Sequence, residues 1–201
     1  YPYFKKALDR GAITREFAQE LMDCIWVKLN DLNKCRDAAS AEGFAGYSLF
    51  QNLIVGGQDE NGQDVTNDLS FMCITCSMHV FLPQPSLSIR VWNGSPQDLL
   101  IHAAELTRTG IGLPAYYNDE VIIPALMSRG LTLEDARTYN IIGCVEPQKA
   151  GKTEGWHVAA FFNMCRPLEF VFTNGYDKGE LASVQTGDVE SCKTFDELYD
   201  A

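Results

Sequence analysis

Short strand-like runs alternate with helical segments along most of this chain, and this alternation restricts the possible folds more than any other feature. Apolar residues recur at three- and four-residue spacing from 14 to about 38, as on one face of a long helix that begins at a Thr14 N-cap. Residues 48–55 are a short apolar run, and in residues 86–91 apolar and polar side chains alternate as in a half-buried strand. Strands separated by helices favour a parallel sheet, so we predict part of an α/β barrel or a wound sheet.

Capping signals place further helices along the chain. Thr66 is predicted to cap a helix that ends before Pro83, and Ser95, followed by a proline, begins another that stops at Gly110. The other predicted helices span residues 119–129, 132–139 and 157–173, the last with a kink at Pro167. Residues 140–147 are predicted to be a short strand that runs into a loop.

The acidic composition argues against two classes of function. The 201 residues include 16 Lys and Arg against 27 Asp and Glu, which gives a net charge of −11. Sequence-independent binding to nucleic acid needs a basic surface, so DNA and RNA are not expected partners. The chain has no apolar run of about 18 residues, the length that a membrane-spanning helix needs, so no membrane association is expected either.

The cysteines and histidines do not form a recognisable metal or disulfide framework. Seven cysteines, an odd number, together with the absence of a secretion signal favour reduced thiols in the cytoplasm. Cys73 and Cys76 have the spacing of a redox motif or half a zinc site, but both lie on the apolar stripe of a predicted helix and are interpreted as core residues. The three histidines are too scattered for a metal site, and His79 and His157 are retained as candidate pocket residues.

The segment from Gly143 to Pro147 is the strongest candidate for chemistry. If it is extended, Cys144 and Glu146 point to one side while Val145 packs into the core, because side chains two residues apart share a face. Pro147 favours an extended conformation for the residue before it. A thiol and a carboxylate that share one space are either a catalytic pair or a buried pair that needs a polar partner. No histidine has a recognisable spacing for a cysteine protease.

Several runs of this sequence resemble the glycyl radical enzymes, which include pyruvate formate-lyase. The similarity is greatest to the branch that contains the B12-independent glycerol and propanediol dehydratases, choline trimethylamine-lyase and isethionate sulfite-lyase. It covers essentially the whole chain and is carried by residues 50–57, 83–90, 112–119, 143–148, 151–157 and 159–163. The run 143–148, Gly-Cys-Val-Glu-Pro-Gln, is the most specific of them.

The resemblance implies a fold for the whole enzyme and the part of that fold that this chain would form. Residues 1–201 would be the central part of the catalytic domain, a ten-stranded α/β barrel surrounded by helices, within a longer chain. The sequence begins without Met and carries no Arg-Val-x-Gly-Tyr motif. We therefore expect an internal fragment that lacks the C-terminal glycyl radical domain and is inactive alone.

The resemblance also implies a mechanism. Cys144 would be the residue that becomes a thiyl radical and removes a hydrogen atom from the substrate carbon that bears a hydroxyl. Glu146 would be the base that deprotonates this hydroxyl, after which the neighbouring substituent leaves. No bound cofactor is expected; the radical would be stored on a glycine outside this chain and installed by a radical-SAM activating enzyme. The other expected partners are a small hydroxylated substrate and a second copy in a homodimer.

The substrate is predicted from departures from the family pattern. The diol dehydratases have an Asp that holds a substrate hydroxyl where this chain has Val158, and a valine cannot accept a hydrogen bond. The choline lyases have Thr and Tyr at the positions of His157 and Phe161, and Phe50 matches an aromatic position that lines the pocket. These differences favour isethionate, with glycerol or propane-1,2-diol and then choline as alternatives. Val158 has an alternative interpretation as a helix residue that packs against a variable pocket wall.

Two other classes remain open at this point. A carbon–carbon lyase of the pyruvate formate-lyase type has two adjacent cysteines at its site, whereas Val145 follows Cys144 here. A scaffold without radical chemistry is the non-enzyme alternative. The expected location is the cytoplasm, or a bacterial microcompartment as for some members of this branch.

Overall fold

The computed structural model describes residues 1–32, 37–44, 51–153, 163–185 and 187–200. It divides into two compact units, Tyr1–Gly155 and Trp156–Ala201. Within the described residues, no helix combines the length and the apolar character that crossing a lipid bilayer requires.

The first unit is a mixed α/β structure, as predicted. Its helices are α1 (Pro2–Asp9), α2 (Arg15–Asn30), α3 (Ala38–Phe44), α4 (Asp68–Val80), α5 (Gln97–Arg108), α6 (Asp119–Ser128) and α7 (Leu133–Arg137). Its strands are β1 (Asn52–Gly56), β2 (Ser86–Val91), β3 (Ala115–Asn118), β4 (Asn140–Ile142) and β5 (Glu146–Gln148). The first three strands form a parallel sheet in the order β1-β2-β3, and β4 and β5 form an antiparallel hairpin. The described residues show no closed barrel, so the ten-stranded barrel stays a prediction for a whole enzyme.

The central strand β2 is buried on both faces, so the prediction of a half-buried strand is wrong. Leu87 and Ile89 pack with α4 and α5 in the larger apolar cluster. Ser88 and Arg90, on the opposite face, are 1% and 4% exposed. A strand between two parallel neighbours, joined to them by crossover helices, has no solvated face. Its polar residues must therefore find partners inside the protein.

Helix α2 packs on α4 through a different face from the one that the apolar spacing predicts. Ala18 and Trp26 are buried, and the Trp26 indole donates a 3.0 Å hydrogen bond to Ser77 Oγ on α4. Phe17 and Ile25 are both 52% exposed. The helix ends at Asn30 rather than near residue 38, and residues 33–36 lie outside the described part.

Helix starts agree with the capping signals to within one or two residues. Thr14 is confirmed as an N-cap, because its hydroxyl accepts a hydrogen bond from the backbone of the first turn. Thr66 and Ser95 are not N-caps; Asn67 and Pro96 take these positions. Both hydroxyls instead form hydrogen bonds within the turn before each helix.

A buried ion pair lies near the carboxyl ends of the parallel strands, and the sequence did not predict it. Arg90 Nε and Nη2 donate to the two carboxylate oxygens of Asp119 at 2.9 and 2.7 Å. Tyr139 and Gln58 donate to the same carboxylate at 2.8 and 3.3 Å. Gly57 leaves space for the guanidinium, since a Cβ there would lie 2.6 Å from Arg90 Cζ. Removing one partner of a buried pair typically costs about 3–5 kcal/mol, because the other charge is left unpaired.

The second unit contains α8 (Arg166–Phe172), the antiparallel strands β6 (Tyr176–Asp177) and β7 (Glu180–Leu181), a 3₁₀ turn (Val189–Ser191) and α9 (Phe195–Tyr199). Pro167 lies in the first turn of α8, where its missing N–H costs no hydrogen bond, so the prediction of a kink is wrong. Of the predicted helix 157–173, residues 157–162 lie outside the described part.

Candidate active site

The candidate catalytic pair lies in the β4–β5 hairpin. Ile142 pairs with Glu146 across the hairpin, and Gly143, Cys144 and Val145 form the turn between them. Gly143 has φ +61°, a left-handed conformation that glycine adopts at low cost. Cys144 therefore lies in a tight turn and not in the extended segment that we predicted.

This turn changes what each side chain faces. Val145 is 66% exposed instead of packed in the core, and Cys144 is also exposed. Glu146 is half-buried, and its Oε2 accepts a 3.0 Å hydrogen bond from the backbone N–H of Val145. The carboxylate lies against Gly143, where a Cβ would be 2.6 Å from Oε2. The glycine thus serves both the turn conformation and the close approach of the carboxylate.

Three polar side chains of the parallel sheet tie this turn to the sheet. Tyr117 donates its hydroxyl hydrogen to the Cys144 carbonyl at 3.0 Å, and Asn52 Nδ2 donates to the Gly143 carbonyl at 3.1 Å. Ser88 Oγ donates to Asn52 Oδ1 at 3.0 Å and so orients the amide. Ser88 and Arg90 on β2 are two residues apart, and Arg90 is in register with Tyr117, which places these groups on one sheet face.

Sequence reasoning missed Tyr117, Asn52 and Ser88 as site residues. One signal was nevertheless available, because each of them lies in a different one of the upstream runs that carry the family resemblance, 112–119, 50–57 and 83–90. The contacts themselves span 27 to 91 positions along the chain. Local periodicity carries no information about pairings over such separations.

The electrostatics of the turn keep the thiol protonated. Desolvation by the surrounding protein raises the pKa of the Cys144 thiol, and the negative charge of Glu146 raises this pKa further. A nucleophilic cysteine needs the opposite, a lowered pKa and a thiolate. A thiol that keeps its hydrogen at neutral pH is instead the form that can donate a hydrogen atom.

The other candidate residues divide into two groups. Phe50, His157, Val158 and Phe161, the proposed substrate-binding residues, lie outside the described residues. His79 has a structural partner, since its Nδ1 lies 2.8 Å from Asp23 Oδ2.

Cys73 and Cys76 are confirmed as core residues on α4. Burial raises the pKa of Cys73 to about 12 and also raises that of Cys76, so neither is a reactive thiolate. In the described ranges, no three His, Cys, Asp or Glu side chains are grouped so that they could hold a metal ion.

Solved structures of two dehydratases are similar to this chain in sequence and fold. The chain is 77% identical, with a TM-score of 0.89, to a protein of 1,2-propanediol dehydration in Roseburia inulinivorans. The alignment covers 100% of this chain and 25% of that one. It is 61% identical, with a TM-score of 0.83, to the B12-independent glycerol dehydratase from Clostridium butyricum, over 94% of this chain and 24% of that one.

Curated relatives are more distant and act on several substrates. The (2S)-3-sulfopropanediol dehydratase of Klebsiella oxytoca is 37% identical over 98% of this chain and 24% of its own length. The isethionate sulfite-lyase of Oleidesulfovibrio alaskensis is 32% identical over 100% of this chain and 25% of its own length. The chain thus spans about a quarter of the length of the relatives it matches.

A family model described as pyruvate formate lyase-like matches residues 1–201. The matched range contains the Cys144 hairpin and the strands that support it. The chain belongs to the pyruvate formate lyase-like family, whose relatives here are glycyl radical dehydratases and lyases.

Proposed function

We propose that a whole enzyme containing this chain is a glycyl radical dehydratase that acts on a small vicinal diol, propane-1,2-diol or glycerol. The observation that carries this proposal is the 77% identity to the propanediol-dehydrating protein over the full chain. The identity to isethionate sulfite-lyase is 32% over the same residues. The ranking therefore differs from the one that Val158 suggested, and the diol is now the first candidate.

The Cys144 hairpin fits the first step of this chemistry. Cys144 is exposed in the turn, and its raised pKa keeps the S–H bond intact. A glycyl radical stored outside this chain would supply the unpaired electron by accepting the thiol hydrogen. The Cys144 thiyl then removes the hydrogen atom from the hydroxyl-bearing carbon of the substrate and becomes a thiol again.

Glu146 would perform the proton transfer of the second step. Its carboxylate accepts the proton of the hydroxyl on the radical carbon and gives a proton to the hydroxyl group on the neighbouring carbon, which leaves as water. The remaining aldehyde radical takes the hydrogen atom back from Cys144. The overall change is diol to aldehyde plus water, and both protein groups return to their starting states.

Isethionate is the second candidate because of Val158. A diol has a second hydroxyl, and Val158 cannot hold it as the Asp of the diol dehydratases does. In an isethionate lyase the same two residues would act in the same way, with sulfite as the leaving group. Val158 is the specific sequence feature that keeps this candidate open.

A substrate panel tests the proposal. The activated whole enzyme is given propane-1,2-diol, glycerol, isethionate and choline, and the release of aldehyde, sulfite and trimethylamine is measured. We expect a diol to be turned over with the highest kcat/KM. The diol assignment would be overturned if isethionate or choline were turned over fastest. It would also be overturned if the enzyme carried a measured radical and turned over none of the four substrates.

The variant Val158→Asp tests whether residue 158 decides between a diol and isethionate as substrate. A charge-assisted hydrogen bond is typically worth about 1.5–3 kcal/mol, so the variant should raise kcat/KM for diols by roughly 10- to 150-fold. The value for isethionate should not rise. If the diol values stay unchanged, Val158 only packs in the pocket wall, and another residue holds the second hydroxyl.

A further inference from the structure

Two hydrogen bonds from the sheet reach the two peptide groups on either side of Cys144. Asn52 donates to the Gly143 carbonyl, which belongs to the peptide that precedes the Cys144 Cα. Tyr117 donates to the Cys144 carbonyl, which belongs to the peptide that follows it. Asn52 lies at the start of β1 and Tyr117 near the end of β3, so the two donors come from opposite edges of the three-stranded sheet.

This arrangement controls the direction of the thiol. A peptide group is planar, so fixing one oxygen of each group restricts the plane on each side of a Cα atom. The two planes together set φ and ψ of Cys144 and hence the direction of its Cα–Cβ bond. Within the turn, the hydrogen bond from Val145 N–H to Glu146 Oε2 also holds the peptide that follows Cys144, whereas Gly143 is conformationally permissive. The bonds from Asn52 and Tyr117 fix both peptides relative to the sheet.

We propose that Tyr117 and Asn52 are positioning residues that aim the Cys144 thiol by holding the two peptide groups beside it. The inference rests on the proposed function, since it assumes that Cys144 carries out the hydrogen transfer. Neither residue touches the reacting atoms in this role. Hydrogen-atom transfer is sensitive to distance and direction, and a misplacement of about 1 Å in an active site can cost roughly 100-fold in rate.

Other contacts attach the hairpin to the protein, so the two bonds are not its only support. Ile141 on β4 is 6% exposed and belongs to the second apolar cluster, together with Tyr139 just before the strand. The pairs of β4 and β5 close the hairpin itself. Loss of a single donor should therefore change the geometry of the turn more than the stability of the fold.

Tyr117 is suited to act as a permanent donor. A phenol must keep its hydrogen in order to donate to a carbonyl. Burial raises the pKa of Tyr117; a hydrogen bond with Ser88 opposes this shift, and the negative charge of Glu146 adds to it. The hydroxyl therefore stays protonated throughout the neutral pH range.

The test compares Tyr117→Phe with Tyr116→Phe in the activated whole enzyme. Tyr116 lies on the same strand, and its hydroxyl is 2.9 Å from Thr107 Oγ1, so each variant removes one hydrogen-bonded tyrosine hydroxyl. We expect Tyr117→Phe to lower kcat by about 10- to 100-fold with KM little changed, and to enlarge the isotope effect of deuterium on the hydroxyl-bearing carbon. Tyr116→Phe should leave all three quantities unchanged. The glycyl radical content and the melting temperature should be the same in both variants.

A readout without turnover separates this inference from the proposed function. In the unactivated whole protein, alkylation of Cys144 by iodoacetamide is followed by peptide mass spectrometry, with the exposed Cys24 as internal reference. Tyr117→Phe and Asn52→Ala should change the Cys144 rate relative to Cys24, and Tyr116→Phe should not. If Tyr117→Phe and Tyr116→Phe give the same kinetics and the same alkylation rate of Cys144, Tyr117 does not position the thiol. This conclusion would hold even if Cys144 is essential for turnover. Full activity after loss of Cys144 would instead overturn the proposed function.

Discussion

Replacing Cys144 with serine in the activated whole enzyme is expected to abolish turnover while the glycyl radical signal remains. The substitution changes one atom at an exposed turn position, so the hairpin should keep its geometry. Serine fails because its O–H bond is too strong to exchange a hydrogen atom efficiently with a glycyl radical. Electron paramagnetic resonance measures the radical, and product formation measures turnover.

The matched control is Cys24→Ser, which changes an exposed cysteine on α2 in the same way. This variant should keep both the radical signal and full turnover. Substantial product formation by Cys144→Ser would show that another group removes the substrate hydrogen. Loss of the radical signal in the serine variant would instead show that Cys144 is needed to form or keep the radical.

Glu146→Gln is expected to lower kcat by about 10²- to 10⁴-fold with substrate binding largely retained, because an amide cannot accept the substrate proton. Glutamine has the same length and keeps an oxygen that can accept the hydrogen bond from Val145 N–H, so the turn should persist. Steady-state kinetics on the preferred substrate, compared with Glu134→Gln on α7, measure the effect. A rate within a few-fold of the unchanged enzyme would limit Glu146 to holding the turn.

Local elements of this fold could be predicted well where the determining interactions are themselves local. The Thr14 cap, the strand-helix alternation and the end of α5 before Gly110 all depend on neighbours within a few residues. The half-buried assignment of residues 86–91 failed because burial of Ser88 and Arg90 depends on what the rest of the chain places over that face. Alternation of residue types cannot report such coverage.

In the candidate site, too, features that depend on local sequence could be predicted and features that depend on distant contacts could not. Cys144 and Glu146 could be identified from the Gly-Cys-Val-Glu-Pro run, but the extended geometry assigned to it was wrong. Gly143 has a positive φ, and this turns the segment into a hairpin. Pro147 favours an extended conformation only for Glu146, so it did not exclude a turn before that residue. Tyr117 and Asn52 could not be found from spacing, because their contacts with the turn are created by the sheet.

The fate of the hydrogen on the hydroxyl-bearing carbon tests the central claim most directly, namely that Cys144 carries a hydrogen atom from the substrate to the product. The substrate that the panel identifies is labelled with deuterium on this carbon, and the aldehyde product is analysed by NMR and mass spectrometry. The account predicts slower turnover of the labelled substrate and deuterium on the carbon that lost its leaving group. Equal rates with only solvent hydrogen on that carbon would contradict hydrogen transfer through Cys144.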